Sequence, residues 1–138
     1  MLSLTEIVHG PHFRIYALSS ETQEPCHEFL VQAEADMPKE HEKLMSLLDY
    51  TSKHGAPRNK EKCRALIGNS SEDQLFEFKT KMLRLFLFYD EGRVIICANG
   101  IPKGKAKEQN RAIQAARDWK KHYFSAKTAS KITIISLP

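Results

Sequence analysis

The sequence predicts an α+β fold in which a helical hairpin precedes an antiparallel β-meander and a further helix follows. Three observations lead to this prediction. Apolar residues repeat at helical spacing over residues 25–54, three short apolar runs joined by turn signals occupy residues 75–98, and a second helical stripe covers residues 106–124. A chain of 138 residues can bury a core without disulfide support. We therefore expect a single domain over residues 1–138.

The predicted helical hairpin follows a short strand in the segment HFRIYALSS, directly after Pro11. Pro25 suits a first helical turn, and Pro38 ends the first helix and opens the second. Gly55 then suits the C-terminal cap. The helices carry two apolar faces: Cys26, Phe29, Leu30, Ala33 and Met37 on the first, and Leu44, Leu47, Leu48 and Thr51 on the second.

The predicted meander is formed by the segments LFEFK, LRLFLFY and RVIICA. The middle segment is apolar on both faces, which is typical of a central strand. Gly92 in YDEGRV marks a hairpin turn. Residues 55–74 before these strands are polar, with a loop signal (GNSS) at 68–71. A short apolar group in this segment is expected to cover part of the core: Cys63, Ala65, Leu66 and Ile67.

The loop NGIPKGK ends the sheet, and the helix over residues 106–124 follows it. Its apolar stripe contains Ala112, Ala116, Trp119 and Tyr123. The tail KITIISLP could add an edge strand, closed by Pro138.

Composition and motifs exclude several classes of protein. There is no run of about 18 apolar residues, so no membrane span is expected. The N-terminus lacks a secretory signal, and the three cysteines are odd in number and far apart, which fits reduced thiols. We therefore expect a cytoplasmic protein with no membrane partner. No dinucleotide-binding, Walker A, zinc-protease or G-x-S-x-G motif is present, so we expect no cofactor and no metal.

Charge is distributed unevenly along the chain. The formal net charge is +4, yet residues 21–50 hold eight carboxylates against two lysines, and cations dominate from Lys79 onward. A meander would bring Lys79, Lys81, Arg84 and Lys103 to one surface that is suited to a phosphodiester backbone. Arg84 interrupts an apolar strand, so it needs either a function or a partner, for which Glu77 on the neighbouring strand is the structural alternative.

These strands and the helix after them resemble the RelE/HigB superfamily of type II toxin–antitoxin toxins, in particular its phage-derived HigB-like branch. The resemblance covers about half of the chain and rests on the segments LFEFK, LRLFLFY, EGRVII and GIPK, and on the helix with Ala112, Arg117 and Tyr123. Two positions depart from the family pattern. Ile101 stands where the pattern has Phe, and Gly104 stands where it has a second Lys.

The resemblance implies a small toxin that cleaves mRNA, usually at the ribosome and without a metal. An antitoxin protein, expected to be of the helix-turn-helix type, would neutralise it. Lys79, Arg84 and Lys103 align with basic positions of the family pattern. Two alternatives stay open: a non-catalytic module that binds nucleic acid or protein, and a ParE-like toxin that targets gyrase.

For cleavage, an RNA 2′-OH would attack the adjacent phosphate. We expect Arg84 to stabilise the charge of the transition state, and Lys79 or Lys81 to act as general base. Tyr123 or His122 could supply a proton if the last helix folds back over the sheet, although the place of Tyr123 on the stripe with Trp119 favours a core role. The cations expected to hold the RNA backbone are Arg93, Lys103, Lys105 and Lys107.

Overall fold

The computed structural model describes residues 1–68 and 70–136, so Asn69 of the predicted loop and Pro138 of the predicted tail lie outside the described residues. Within these ranges the chain forms three helices: α1 (Pro25–Asp36), α2 (Pro38–His54) and α3 (Ala106–Thr128). It also forms seven strands: β1 (Leu2–His9), β2 (Arg14–Ser19), β3 (Cys63–Leu66), β4 (Leu75–Lys79), β5 (Leu83–Asp90), β6 (Val94–Pro102) and β7 (Ile132–Ile135).

The predicted α+β class, helical hairpin, meander and final helix are confirmed. Only Met37 separates α1 from α2, and β4, β5 and β6 pair antiparallel in chain order. The predicted order of elements is wrong at the start of the chain. Two strands, β1 and β2, precede the helices, where the sequence predicts one short strand.

All seven strands belong to one sheet, in the order β3-β4-β5-β6-β2-β1-β7. The strand β2 returns to pair with β6 in parallel, and β1 pairs antiparallel with β2. The tail strand β7 forms one edge, as predicted, and it pairs in parallel with β1. The sheet is therefore larger than the predicted meander, because segments from both ends of the chain extend it beyond β6.

Helices cover both faces of the sheet. Leu83, Leu85 and Leu87 of β5 point to the face that α1 and α2 cover, and Phe86 and Phe88 point to the face that α3 covers. These five side chains are at most 1% exposed, which confirms that β5 is a central strand. None of the helices in the described ranges is long and apolar enough to cross a bilayer.

Two strands were not predicted because their apolar patterns are interrupted. In β1, Leu2 and Leu4 face the core, but Glu6 continues the same buried row, at 7% exposure. The predicted apolar cover at residues 63–67 is instead the short edge strand β3 followed by Ile67, which is 83% exposed. Only Cys63 and Leu66 of this group pack against the two cores.

Candidate functional site

The turn between β4 and β5 is fixed by a carboxylate from α2. Oε1 of Glu40 accepts hydrogen bonds from Thr80 Oγ1 at 2.8 Å and from the Met82 backbone N–H at 2.7 Å. Burial alone would raise the pKa of Glu40. These hydrogen bonds, together with Lys43 at 3.2 Å, outweigh burial and lower the pKa below its ordinary value. A charged Glu40 therefore holds this end of the sheet in place.

Lys79 and Arg84 lie opposite each other in the β4–β5 ladder, so their side chains share a face of the sheet. This is the α3 face, because Phe86 and Phe88 follow Arg84 at two-residue spacing. The expectation that Arg84 stands on an open surface is wrong, since it is only 8% exposed.

The guanidinium of Arg84 holds the turn from the strand side. Its Nη1 donates to the carbonyl oxygens of Thr80 at 2.6 Å and Leu83 at 2.9 Å. Its Nε and Nη2 make no hydrogen bond to the residues that the structure describes. Arg84 therefore has a structural partner and retains donors for another one.

Glu77 is not the partner of Arg84. Its buried carboxylate instead accepts a hydrogen bond from Arg64 Nη2 of β3 at 3.2 Å. Next to this pair, the Lys79 backbone N–H donates to the carbonyl oxygen of Lys62 at 2.8 Å. A row of cations therefore crosses the end of the sheet at Lys62, Lys79 and Arg84.

The loop after β6 lies against the same turn. The Lys103 backbone N–H donates to the carbonyl oxygen of Met82 at 2.7 Å. Lys81, Lys103, Lys105 and Lys107 are all exposed here. The helix α3 begins directly after Lys105, and no side chain caps its first N–H groups. The positive end of the helix dipole thus adds to the field of these lysines.

Position 104, where the family pattern has a lysine, has room for a side chain. A Cβ on Gly104 would lie 3.0 Å from Glu108 Oε2, which is the end of a flexible side chain, and 3.7 Å from the Pro102 carbonyl oxygen. Gly104 also lacks the positive φ that would favour glycine. The departure from the pattern is thus a missing cation and not a rearranged backbone.

Two predicted site residues lie at the other end of the sheet. Arg93 follows Asp90 in the β5–β6 turn, with φ of 61°, and Tyr123 donates a hydrogen bond to Asp90 Oδ2. Six residues of strand separate Arg84 from Asp90, which is about 20 Å. The structure does not bring Arg93 or Tyr123 to the Lys79–Arg84 pair.

Tyr123 belongs to a buried hydrogen-bonded group. Burial and the Asp90 carboxylate raise the pKa of Tyr123 well above its ordinary value. Burial would also raise the pKa of Asp90, but hydrogen bonds from Lys127 and Tyr123 lower it overall. Lys127 Nζ lies 2.8 Å from Asp90 Oδ1. This group ties α3 to β5 and gives no support to a catalytic role for Tyr123.

Asn99 is a polar residue of the sheet that sequence reasoning missed. It lies opposite Phe86 and is 8% exposed. Its Nδ2 donates to the carbonyl oxygen of Ala112 at 3.0 Å, and its buried Oδ1 makes no hydrogen bond within the described ranges. In the sequence, Asn99 follows an apolar run and is indistinguishable from the first residue of a loop. Only the pairing with β5 shows that it is buried.

The arrangement suits an anionic chain rather than a metal ion. Seven cations lie in segments that meet at one end of the sheet: Lys62, Lys79, Lys81, Arg84, Lys103, Lys105 and Lys107. No group of three His, Cys, Asp or Glu side chains in the described ranges is placed to hold a metal. Lysine and arginine donors at this density can hold a phosphodiester and stabilise charge that develops on it.

Residues 34–121 match the family model described as "Phage derived protein Gp49-like (DUF891)". The match covers more than half of the chain and includes β3 to β6, both loops of the basic end and most of α3. The chain therefore belongs to this phage-derived family, which is part of the RelE/Gp49 toxin family. A comparison with curated proteins gave no significant match.

Proposed function

We propose that this protein is the toxin of a type II toxin–antitoxin system and acts as a ribosome-associated, metal-independent mRNA endoribonuclease of the HigB-like branch. The observation that carries the proposal is the basic end of the sheet. Lys79 and Arg84 are paired on one face there, Lys81 lies in the turn beside them, and the loop starting at Lys103 is hydrogen-bonded to that turn. All of these residues fall inside the family match.

The proposed reaction is attack of an RNA 2′-OH on the adjacent phosphate, which leaves a 2′,3′-cyclic phosphate and releases the 5′ oxygen of the next nucleotide, which takes up a proton from water. Lys79 or Lys81 accepts the 2′ proton as general base. Arg84 stabilises the additional negative charge on the phosphate through Nε and Nη2, because Nη1 is bound to the turn. Lys103, Lys105 and Lys107 hold the RNA backbone.

On this proposal the partners are mRNA, the ribosome and an antitoxin protein of the helix-turn-helix type, all in the cytoplasm. The acidic residues of the N-terminal half would lie away from the RNA, apart from Glu40, which is bound to the turn. Glu77 is paired with Arg64, and Glu108 in the first turn of α3 is the carboxylate beside the loop lysines. Cations outnumber these carboxylates at the basic end, so the RNA phosphates would meet a net positive charge.

One observation favours a second candidate, a non-catalytic module that binds nucleic acid or protein through the same surface. Arg84 is 8% exposed and already holds two carbonyl oxygens, and Gly104 removes one cation from the family pattern. Both features would weaken catalysis and leave the electrostatic attraction of the exposed lysines in place. The ParE-like alternative uses the same fold against gyrase and predicts no RNA cleavage.

The test is inducible expression in a bacterial host, with growth curves and primer extension on an abundant mRNA. We expect growth arrest and new transcript 5′ ends, and the purified protein should cut ribosome-bound mRNA with no metal added beyond the Mg²⁺ that the ribosomes need. Arrest without new 5′ ends, together with inhibited supercoiling by gyrase in vitro, would support the ParE-like alternative. RNA binding without cleavage or arrest would support the non-catalytic module.

A further inference from the structure

A groove of about 580 Å³ lies between α3 and the connection from β2 to α1, and the proposed function makes no use of it. One wall consists of Asp118, Trp119 and His122 of α3. The opposite wall consists of residues 20–23 and the first residues of β1. The cations of the proposed RNA site do not line it.

The α3 wall of the groove contains two aromatic rings. The rings of Trp119 and His122 are stacked, with centroids 6.0 Å apart and an interplanar angle of 20°. Trp119 packs against the core on the α3 face but remains partly exposed. A partly exposed indole attracts a cationic side chain through the negative potential of its ring.

The rim of the groove carries two carboxylates, those of Glu21 and Asp118, and the amino group of Met1. The Glu21 side chain is 79% exposed, and its Oε1 lies 3.7 Å from the Met1 amino nitrogen, which offsets part of its charge. The Asp118 carboxylate accepts a hydrogen bond from the neutral Gln114 amide at 3.1 Å. Two carboxylates against one amino group leave a net negative charge, which repels the phosphates of a nucleic acid and attracts an ammonium or guanidinium group.

The wall opposite Trp119 is formed before any ligand binds. Ser20 Oγ accepts hydrogen bonds from the backbone N–H of Gln23 at 3.1 Å and of Thr22 at 3.4 Å, and the Ser20 N–H donates to the Gln23 carbonyl oxygen at 2.8 Å. These bonds fix the turn that carries Glu21. A preformed groove loses little conformational freedom on binding, which favours recognition of a single side chain.

We propose that this groove binds an arginine or lysine side chain presented by a protein partner, with the cation over Trp119 and between Glu21 and Asp118. Asp118 and Trp119 lie inside residues 34–121 of the family match, whereas His122, Glu21 and the turn of Glu21 lie outside that range. A partner that binds here contacts both the matched segment and residues N-terminal to it. The site is independent of RNA cleavage, so it stands or falls separately from the proposed function.

Trp119 is the only tryptophan of the chain, so its fluorescence reports directly on this groove. The probes are the peptide acetyl-Ala-Arg-Ala-amide and the same peptide with neutral citrulline in place of arginine. We expect the arginine peptide to change the emission of Trp119 at lower concentrations than the citrulline peptide. The double variant Glu21→Gln/Asp118→Asn should weaken this binding about five- to tenfold.

The matched control is Glu61→Gln/Glu91→Gln, which removes two exposed carboxylates outside the groove and should leave the titration unchanged. Equal responses to the arginine and citrulline peptides would overturn the proposal. If the double variant does not fold, the single variant Glu21→Gln tests the role of the rim, because the Glu21 side chain is exposed and its replacement should leave the fold intact. Unchanged peptide binding by a folded Glu21→Gln variant would then refute a role for the carboxylate rim.

Discussion

The two ends of β5 use the same kinds of side chain for different purposes. At the Asp90 end, a buried carboxylate is bound by Tyr123 and Lys127, so charge and hydrogen bonds are satisfied within the protein. At the Arg84 end, lysines are exposed, while Glu40 is bound to the turn and Glu77 to Arg64. Cations that are paired within the fold stabilise it, and cations left exposed together remain available to an external anion.

The sharpest test of this difference is Arg84→Ala. We expect cleavage to fall about a hundredfold or more, because the side chain would no longer stabilise charge on the phosphate. Arg84→Lys should restore only part of the rate, since an ammonium cannot make two parallel hydrogen bonds to phosphate. Single-turnover cleavage and a thermal melt of each variant are the measurements.

Arg84 also binds the turn carbonyls, so the melt decides how a loss of activity is understood. Wild-type stability with lost cleavage supports a role in the reaction. A collapsed melting curve would instead make Arg84 a structural residue. Arg93→Ala is the matched control, because Arg93 is exposed at the opposite end of β5 and its removal should change cleavage little.

The opposite result is expected at the Asp90 end. Tyr123→Phe removes the hydrogen bond to the Asp90 carboxylate and should destabilise the protein by about 1–3 kcal/mol, with cleavage unchanged. Urea unfolding followed by circular dichroism measures the change, and Tyr50→Phe at an exposed position serves as control. A stable Tyr123→Phe protein that has lost cleavage would restore Tyr123 to the catalytic group.

Both ends should respond to acid. The pKa values of Glu40 and Asp90 are lowered in the folded protein, so their stabilising contribution is complete above the ordinary carboxyl pKa of about 4. It is lost as the pH falls through the lowered values. We expect the free energy of unfolding to decrease below about pH 4, and to decrease less steeply in Glu40→Gln. Identical pH profiles for the two proteins would show that Glu40 does not hold the turn as a charged group.

The exposed lysines should contribute additively and without regard to RNA sequence. Lys103→Ala and Lys105→Ala should each reduce the salt dependence of RNA binding by about one counterion. A salt titration of RNA affinity measures this, with Lys53→Ala on α2 as control because its ammonium is paired with Asp49. A slope equal to that of the wild type would show that these lysines do not contact phosphate.

The smallest expected effect is a gain. Gly104→Lys adds the cation that the family pattern has at this position, and the neighbouring Glu108 side chain can move aside. We expect RNA affinity to rise about two- to fivefold with little change in stability. The comparison variant is Gly92→Lys. Because Gly92 has a φ of 76°, which disfavours any side chain, this variant should lose stability. Reduced affinity in Gly104→Lys would indicate that the loop needs glycine for its path.

Much of the fold was predictable because local signals and burial agree. The helices over residues 25–54, the central strand β5 and α3 all have apolar residues at the spacing of the final element. The strand β1 was missed since Glu6 interrupts its buried row, and β3 because a four-residue edge strand with exposed Arg64 and Ala65 has almost no pattern.

The grouping of Lys79, Lys81, Arg84 and Lys103 followed from adjacency in the meander. The positions of Arg93 and Tyr123 far from this group could not be predicted in the same way. They depend on which end of β5 the turn with Arg93 and the helix residue Tyr123 lie against.

By itself, the sequence determined the three helices, most of the strands and the concentration of cations in the second half, since these follow from periodicity and composition. The tertiary structure decided the partners. It placed β2 beside β6, paired Glu77 with Arg64, turned Arg84 toward the Thr80 and Leu83 carbonyl oxygens, and set the turn with Glu21 opposite Trp119. Such contacts join residues far apart in the chain or depend on which rotamer satisfies a buried donor. They are therefore fixed only when the whole sheet and its three helices are packed together.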